Sequence, residues 1–339
     1  MTLEFGLDTF GDITADANGP RSAAQVIRDT LADAILADQV GLDYFGLGEH
    51  HRPDYAISSM EPLLGAILAK TERIHAGTSV SVLSSDDPIR LFQRLSTLDA
   101  VAPGRAEVTI GRGSFTESFP LFGFDLHDYE MLFSEKAQLL QALLSREKVS
   151  FQGRHRKPLH NVTVYPRPER PLQVWRGVGG SPDSVLEAAA MDMPLVIAII
   201  GGNAARFAPF ADLYRKARAE MGAAELPIAV HSPGHVGPTD AEAKERYFPA
   251  YAKMHDLIGA SRGWPKFTRA AFEHEIAHGS LYVGSPETVA QKIATTVKAL
   301  GLSRFTLKYS AGPQDPAHLH ETVALYGREV APRVRELLA

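Results

Sequence analysis

The 339-residue chain contains no cysteine. It therefore has no disulfide, no thiol nucleophile and no cysteine-ligated metal. It also lacks any apolar run near the roughly 20 residues that a membrane-spanning helix needs. Its first residues, MTLEFGLDTFGD, do not show the basic segment followed by an apolar segment that is typical of a signal peptide. We therefore expect a cytoplasmic protein that does not enter the membrane.

Concentrated positive charge is missing as well. The formal net charge is −5, and the 35 lysines and arginines are spread along the chain. Proteins that bind nucleic acids normally present a basic patch or stripe, so we expect no nucleic-acid partner. The composition, with 45% hydrophobic and 22% charged residues, is that of an ordinary globular protein.

The apolar pattern alternates between short runs typical of strands and longer runs with helical spacing. Eight strands are predicted at 3–8, 43–47, 74–83, 105–110, 172–178, 194–200, 227–236 and 304–309. Such alternation indicates a parallel sheet, and eight units predict a closed (β/α)8 (TIM) barrel over 1–339 as a single α/β domain. An open doubly wound sheet is the alternative. Two stretches, about 146–170 and 258–282, fit no strand–helix unit, and we interpret both as insertions.

Function in such a barrel lies at the carboxyl ends of the strands. The second strand is followed by Gly48-Glu49-His50-His51-Arg52. Because adjacent strand residues point to opposite faces, His50 and His51 cannot both point into the barrel. An ionisable residue at this position is a functional candidate, and a surface loop that happens to contain histidines is the alternative.

Two further strand ends predict an anion site. Arg112 lies between two glycines after the fourth strand, where the backbone can approach a ligand and the guanidinium can pair with phosphate. The fifth strand is followed by the sequence GVGGSPDS at 177–184, a glycine-rich loop that leads into a helix. Free N–H groups at a helix N-terminus favour anions. The alternatives are an arginine that caps a turn and ordinary helix capping by Ser181.

Four segments together are similar to the bacterial luciferase-like flavin monooxygenase family. They are GLDYFGLGEHHRPDY at 41–55, HAGTSVSVLSSDDPIRLFQRLSTLDAVAPGRAEVTIGRGSF at 75–115, FGFD at 122–125 and GVGGSPDSVLEAA at 177–189. The resemblance covers residues 3 to about 240. It implies a (β/α)8 barrel that binds FMN in its mouth. It also implies an oxidoreductase that uses reduced flavin and molecular oxygen on a small organic substrate.

The resemblance also implies roles for individual residues. His50 matches the active-site histidine that assists proton transfer near the flavin. Ser79 and Val80 match the segment beneath the isoalloxazine ring, where the family often has a non-prolyl cis peptide. Arg112 matches an arginine that contacts the phosphate. The phosphate loop is matched by Gly180, Ser181 and Ser184. The sequence departs from luciferase at Gly111, where luciferase carries a reactive cysteine.

Rival interpretations remain open. A deazaflavin-dependent oxidoreductase and a non-catalytic flavin-binding barrel both fit the same fold. His274-Glu275-Ile276-Ala277-His278 matches the zinc-protease pattern H-E-x-x-H. We expect no metal there, because Gly279 ends the helix and no third histidine follows. His231 and His235 on the seventh strand form another cluster, either packing residues or substrate contacts.

The sequence also bears on how the cofactor is reduced. Hydride delivery from NAD(P)H normally needs a strand, a GxGxxG turn and a helix, and no segment here has that pattern. We therefore expect a separate flavin reductase to supply reduced FMN, as for many members of the family. We also expect a homodimer.

Overall fold

Eight parallel strands close into a barrel in the computed structural model, which describes residues 3–339. Neighbouring strands pair in chain order, the last pairs with the first, and the pairing of the sixth with the seventh completes the ring. The predicted (β/α)8 fold is confirmed. The strands are β1 (Glu4–Thr9), β2 (Tyr44–Leu47), β3 (His75–Val82), β4 (Ala106–Gly111), β5 (Gln173–Val178), β6 (Leu195–Ala198), β7 (Ile228–Val236) and β8 (Arg304–Lys308).

Helices surround this barrel, and a side chain caps the start of six of the twelve α-helices in residues 3–339. Ser22 accepts a hydrogen bond from the Gln25 N–H, and Asp87 accepts from the N–H groups of Ile89 and Arg90. The helices are α1 (Ala23–Gln39), α2 (Glu61–Lys70), α3 (Pro88–Val101), α4 (Ser118–Phe122), α5 (Tyr129–Ser145), α6 (Pro182–Ala190), α7 (Ala208–Glu220), α8 (Asp240–Ala260), α9 (Arg269–His278), α10 (Pro286–Leu300), α11 (Pro316–Leu325) and α12 (Ala331–Leu338).

A cluster of charged side chains fills the barrel at the amino ends of its strands. Arg304 donates to both carboxylate oxygens of Glu107, at 2.8 and 3.0 Å, and to Glu4 at 2.7 Å. Its guanidinium also lies 4.4 Å from the Tyr44 ring and 4.6 Å from the Trp175 ring. Burial raises the pKa of Glu107, but Arg304 and His75 outweigh burial and hold that pKa at about 2. This cluster, which we call the basal plug, closes one end of the barrel.

Two segments lie outside the strand–helix repeat. Lys148–Phe151 and Leu159–Thr163 form an antiparallel hairpin. After β7, the helices α8 and α9 lead to a short strand, Tyr282–Gly284, which pairs with the far end of β7. They pack on a small apolar cluster of their own, formed by Ala243, Tyr247, Tyr251, Phe272, Leu281, Val283 and Ala311. The helix α8 runs into the predicted insertion 258–282 and accommodates Pro249 internally.

Candidate functional site

The residues predicted at the strand ends come together at the carboxyl end of the barrel. Arg112 directly follows the last residue of β4, and its Nη2 lies 3.3 Å from the Ser184 Oγ in the first turn of α6. Its Nη1 lies 3.3 Å from the exposed Glu130 carboxylate. The structure thus joins the two predicted anion-binding elements, which are 72 residues apart, into one corner. We call this the phosphate corner.

The loop that enters α6 leaves polar groups available to a ligand. Gly180 has φ +110°, a conformation that only glycine adopts readily. A side chain at Gly179 would meet no atom within 4 Å, so the space beside it is open. Ser181 occupies the N-cap, yet its hydroxyl makes no hydrogen bond to the helix. Free N–H groups and hydroxyls therefore converge beside Arg112, as a phosphate requires.

A second arginine next to this corner was missed by the sequence reasoning. Arg176 on β5 is 1% exposed, its guanidinium lies 3.9 Å from the Phe133 ring centre, and Glu187 is 3.5 Å away. Its Nε and Nη2 are buried without a hydrogen-bond partner among the described residues. Burial, together with the charge of Arg112, lowers its pKa to about 10, so it stays positive at neutral pH. A charged residue inside an otherwise apolar strand was the available signal.

His50 lies in an aromatic box. The centre of its ring is 4.7 Å from that of Phe10, 4.4 Å from that of Tyr55 and 4.6 Å from that of Phe115. Its Nε2 is buried and has no hydrogen-bond partner in residues 3–339. Burial lowers the pKa of His50 to about 3, so the ring is neutral at physiological pH. A neutral imidazole with an unpaired nitrogen is suited to exchanging a proton with a bound molecule.

His51 has different surroundings. Its Nε2 lies 3.2 Å from the Glu49 carboxylate, and its ring meets the edge of Phe122 at 5.2 Å. Glu49 in turn accepts a hydrogen bond from the Val82 N–H. His51 is therefore held by its neighbours in the loop, whereas His50 enters the aromatic box.

Ser79 and Val80 lie inside the barrel, where β3 reaches the mouth, and the peptide bond between them is cis. The Ser79 hydroxyl lies 3.3 Å from the Tyr44 hydroxyl. A Cβ at Gly111 would stand 2.6 Å from the Val80 Cγ2. A side chain at position 111 would therefore displace Val80.

A polar cluster at the ends of β1 and β8 was also missed. Asp12 accepts hydrogen bonds from Lys308 at 3.1 Å, from the Ser310 hydroxyl at 2.7 Å and from the Gly312 N–H at 2.8 Å. Burial raises the pKa of Asp12, but the charge of Lys308 and these hydrogen bonds outweigh it and hold the pKa below its ordinary value. The lysine Nζ also lies 4.6 Å from the Phe10 ring centre. The only signal in the sequence was charge at the end of predicted buried strands.

The two histidines of β7 separate. The His231 Nδ1 lies 2.5 Å from the Asp8 Oδ2, and its ring stacks on Phe10 at 5.9 Å. His235 is fully buried against Tyr247, and its Nδ1 lies 3.0 Å from the Thr322 hydroxyl. Burial lowers the pKa of His235 to about 3. His235 is thus a packing residue, whereas His231 faces the barrel interior.

In the H-E-x-x-H segment the glutamate points away from the two histidines. His274 and His278 lie on α9 with their ring centres 5.0 Å apart. Glu275 turns away from them and accepts hydrogen bonds from the N–H groups of Gly202 and Ser280. Within residues 3–339, no group of three or more histidines and carboxylates could hold a metal ion. Over the same residues, no helix combines the length and the apolar character needed to span a bilayer.

With this fold and site, the chain belongs to the luciferase-like monooxygenase family, whose model matches residues 4–304. The structure resembles that of a monooxygenase from Streptomyces bottropensis, with a TM-score of 0.86, 21% identity, and 97% of this chain and 99% of that chain covered. It also resembles the oxygenating constituent of 3,6-diketocamphane monooxygenase from Pseudomonas putida in complex with FMN. That match has a TM-score of 0.76, 23% identity, and 98% and 99% coverage.

A relative of another kind matches part of the chain. An F420-dependent glucose-6-phosphate dehydrogenase from Kineococcus radiotolerans is 33% identical over 168 residues. The aligned part makes up 47% of this chain and 49% of that relative. Monooxygenases and deazaflavin enzymes therefore both stand among the relatives.

Proposed function

We propose that the protein is an FMN-dependent monooxygenase that acts on a small organic substrate with reduced flavin and oxygen. The observation that carries this proposal is the phosphate corner, where Arg112 and Ser184 meet at 3.3 Å beside the open Gly179–Gly180 loop. A terminal phosphate is a doubly charged anion. Arginine and a helix N-terminus are its strongest common ligands in proteins. The buried charge of Arg176 adds to the positive potential.

FMN, when bound, supplies the redox chemistry, and the protein contributes binding, orientation and exclusion of water. In this proposal Arg112, Gly180, Ser181 and Ser184 hold the phosphate. Ser79 and Val80 support the ring system from within the barrel. These residues reach the same mouth from β3, from the end of β4, and from the loop and first turn that connect β5 to α6.

His50 is the proposed proton-handling residue. It is neutral because burial lowers its pKa to about 3, and its buried Nε2 has no other partner in the described chain. Phe115 packs against the His50 ring, with the ring centres 4.6 Å apart. Arg262, from the loop after α8, lies 5.1 Å from the Phe115 ring centre and donates to the Ser114 carbonyl at 2.8 Å. The loop after α8 thus helps to exclude water from the aromatic box.

A deazaflavin-dependent oxidoreductase is the second candidate function, favoured by the 33% identity to the F420-dependent dehydrogenase. Such an enzyme would transfer hydride without oxygen. Both cofactors place a phosphate on a ribityl chain, so the phosphate corner supports either one. The preference for FMN rests on the luciferase-like monooxygenase family model, which matches residues 4–304, whereas the F420-dependent relative aligns with 47% of the chain. The proposed monooxygenase depends on oxygen and on reduced FMN, and the alternative depends on neither.

The test compares the two cofactors on the same protein. FMN and F420 are titrated separately into the full chain, and binding is followed by quenching of cofactor fluorescence. We expect FMN to bind more tightly. Oxygen uptake is then measured with the FMN-loaded protein, a supply of reduced FMN and a panel of candidate substrates. Tight binding of F420 with no measurable binding of FMN would replace the first proposal by the second, and binding of neither would reject both.

A further inference from the structure

The mouth contains a second histidine whose geometry the proposed function does not use. His231 points into the barrel from β7, and Asp8 points in from β1, across the intervening β8. Asp8 is fully buried, and its Oδ2 lies 2.5 Å from the His231 Nδ1. A carboxylate accepts and does not donate, so the proton in this contact belongs to Nδ1 of the imidazole. In the neutral ring, Nε2 then carries the lone pair.

The free nitrogen of His231 faces the open part of the site. Nε2 has no hydrogen-bond partner in residues 3–339, and it is not among the buried unpaired atoms there. The side chain is 11% exposed, whereas that of Asp8 is 0% exposed. Its ring stacks on Phe10, and the Phe10 and His50 rings lie nearly perpendicular with their centres 4.7 Å apart. The two histidines therefore flank one phenylalanine, and each has an unpaired nitrogen.

The charges around Asp8 leave His231 as its counter-group. Lys308, the other nearby cation, donates to Asp12 and to the Ser310 carbonyl rather than to Asp8. Oδ1 of Asp8 is buried and makes no hydrogen bond to any described residue. An imidazolium at His231 would be balanced by a buried carboxylate. This is the arrangement by which an aspartate orients a catalytic histidine and stabilises its protonated form.

We propose that His231, oriented by Asp8, is a second acid–base residue of the site and binds a hydroxyl group of the substrate. In this step the substrate O–H bond breaks, and its electron pair stays on oxygen. The proton forms a bond to Nε2 of His231, and the Asp8 carboxylate balances the resulting charge. The substrate class is thereby narrowed to alcohols, phenols or enols. This inference rests on the proposed function only in placing substrate in the same mouth.

The first test uses diethyl pyrocarbonate, which acylates unprotonated imidazole nitrogens. The full chain is treated without added cofactor, and the modification rate of each histidine is read by mass spectrometry. We expect His231 to react and the buried His235 to stay unmodified. Asp8→Asn should slow the reaction of His231 at least about tenfold, because it removes the buried carboxylate charge that stabilises the positively charged, acylated ring.

The matched control is an exposed pair with the same contact. His127, whose side chain is 95% exposed, lies 2.9 Å from Asp125. Asp125→Asn should change the rate of His127 little, since solvent can replace that partner. If His231 is as inert as His235, or if Asp8→Asn leaves its rate unchanged, the oriented acid–base pair is rejected.

The second test addresses the hydroxyl ligand with 4-nitrophenol as the probe. It should protect His231 from modification and leave His127 unprotected. Equilibrium dialysis should show weaker 4-nitrophenol binding to His231→Gln than to the parent. If circular dichroism shows that Asp8→Asn does not fold, the His231→Gln variant tests the proposal in its place. Equal dialysis binding, or no protection of His231, overturns the proposal. Neither test uses FMN or turnover, so a failure here is distinct from a failure of the flavin titration.

Discussion

Replacing Arg112 by alanine is the sharpest probe of the phosphate corner. The change removes a guanidinium that reaches Ser184 at 3.3 Å. Hydrogen bonds to charged groups contribute about 1.5–3 kcal/mol, which corresponds to about a 10- to 150-fold loss of affinity. The Arg112 side chain is 31% exposed, so solvent screening favours the lower end of that range. Ser184→Ala removes a neutral partner and should cost less, about 0.5–1.5 kcal/mol.

The assay is an FMN titration of the full chain, followed by quenching of flavin fluorescence at low and at high salt. Arg112→Ala should weaken binding most at low salt, where the lost charge is least screened. The losses in the double variant should not add, because the two side chains are in contact. Arg28→Ala is the control, since that arginine is exposed on α1 and, among the described residues, its side chain bonds only to Gln25. Parental affinity in both Arg112→Ala and Ser184→Ala would refute the placement of the phosphate.

Four further outcomes are expected. His50→Ala should lower turnover by roughly 10²- to 10⁴-fold and largely keep FMN affinity. His51→Ala should lower turnover less. Equal kcat in His50→Ala and the parent would show that His50 does not take part in the chemistry. Metal analysis of untagged protein should find no stoichiometric zinc, and zinc that disappears in His274→Ala would contradict this. Anaerobic stopped-flow mixing of FMN-loaded protein with NADH or NADPH should leave the flavin oxidised, and rapid bleaching would show that no separate reductase is needed. Finally, the folded-state pKa of Glu107, about 2, lies below its ordinary value of 4.5, so its stabilising contribution is complete above pH 4.5 and is lost as the pH falls towards 2. Urea titrations across that interval should show a shallower loss of stability in Glu107→Gln than in the parent, and parallel curves would count against the assigned role of the ion pair.

The sequence was most informative where structure is local. The strands were predicted to within a residue or two because they are buried and their outward faces are apolar. The largest difference is in the predicted strand 194–200, since β6 ends two residues earlier at Ala198 and the apolar Ile200 is 62% exposed at the mouth. The elements of the phosphate corner were recognisable because a glycine loop, an N-cap and a proline follow one another in the chain.

Features that depend on closure of the barrel were beyond this reasoning. Asp8 and His231 are separated by 223 residues, and Asp12 and Lys308 by 296. Nothing in the local pattern of β1 indicates which strand it faces across the interior. Arg176 was overlooked because a single arginine in an apolar strand does not indicate a function until its contacts in the folded protein are known. Which buried charges pair with each other depends on the tertiary fold, so the apolar pattern along the sequence does not predict it.

The basal plug has a kinetic consequence. Arg304, Glu107 and Trp175 fill the barrel interior at one end, so cofactor, substrate and product reach and leave the site through the opposite end. Under the proposed function, a cofactor whose ring lies deep in that opening must arrive before the substrate and leave after the product. Steady-state velocities should therefore follow a compulsory order. Excess substrate should slow flavin exchange in each cycle, so that it inhibits at high concentration.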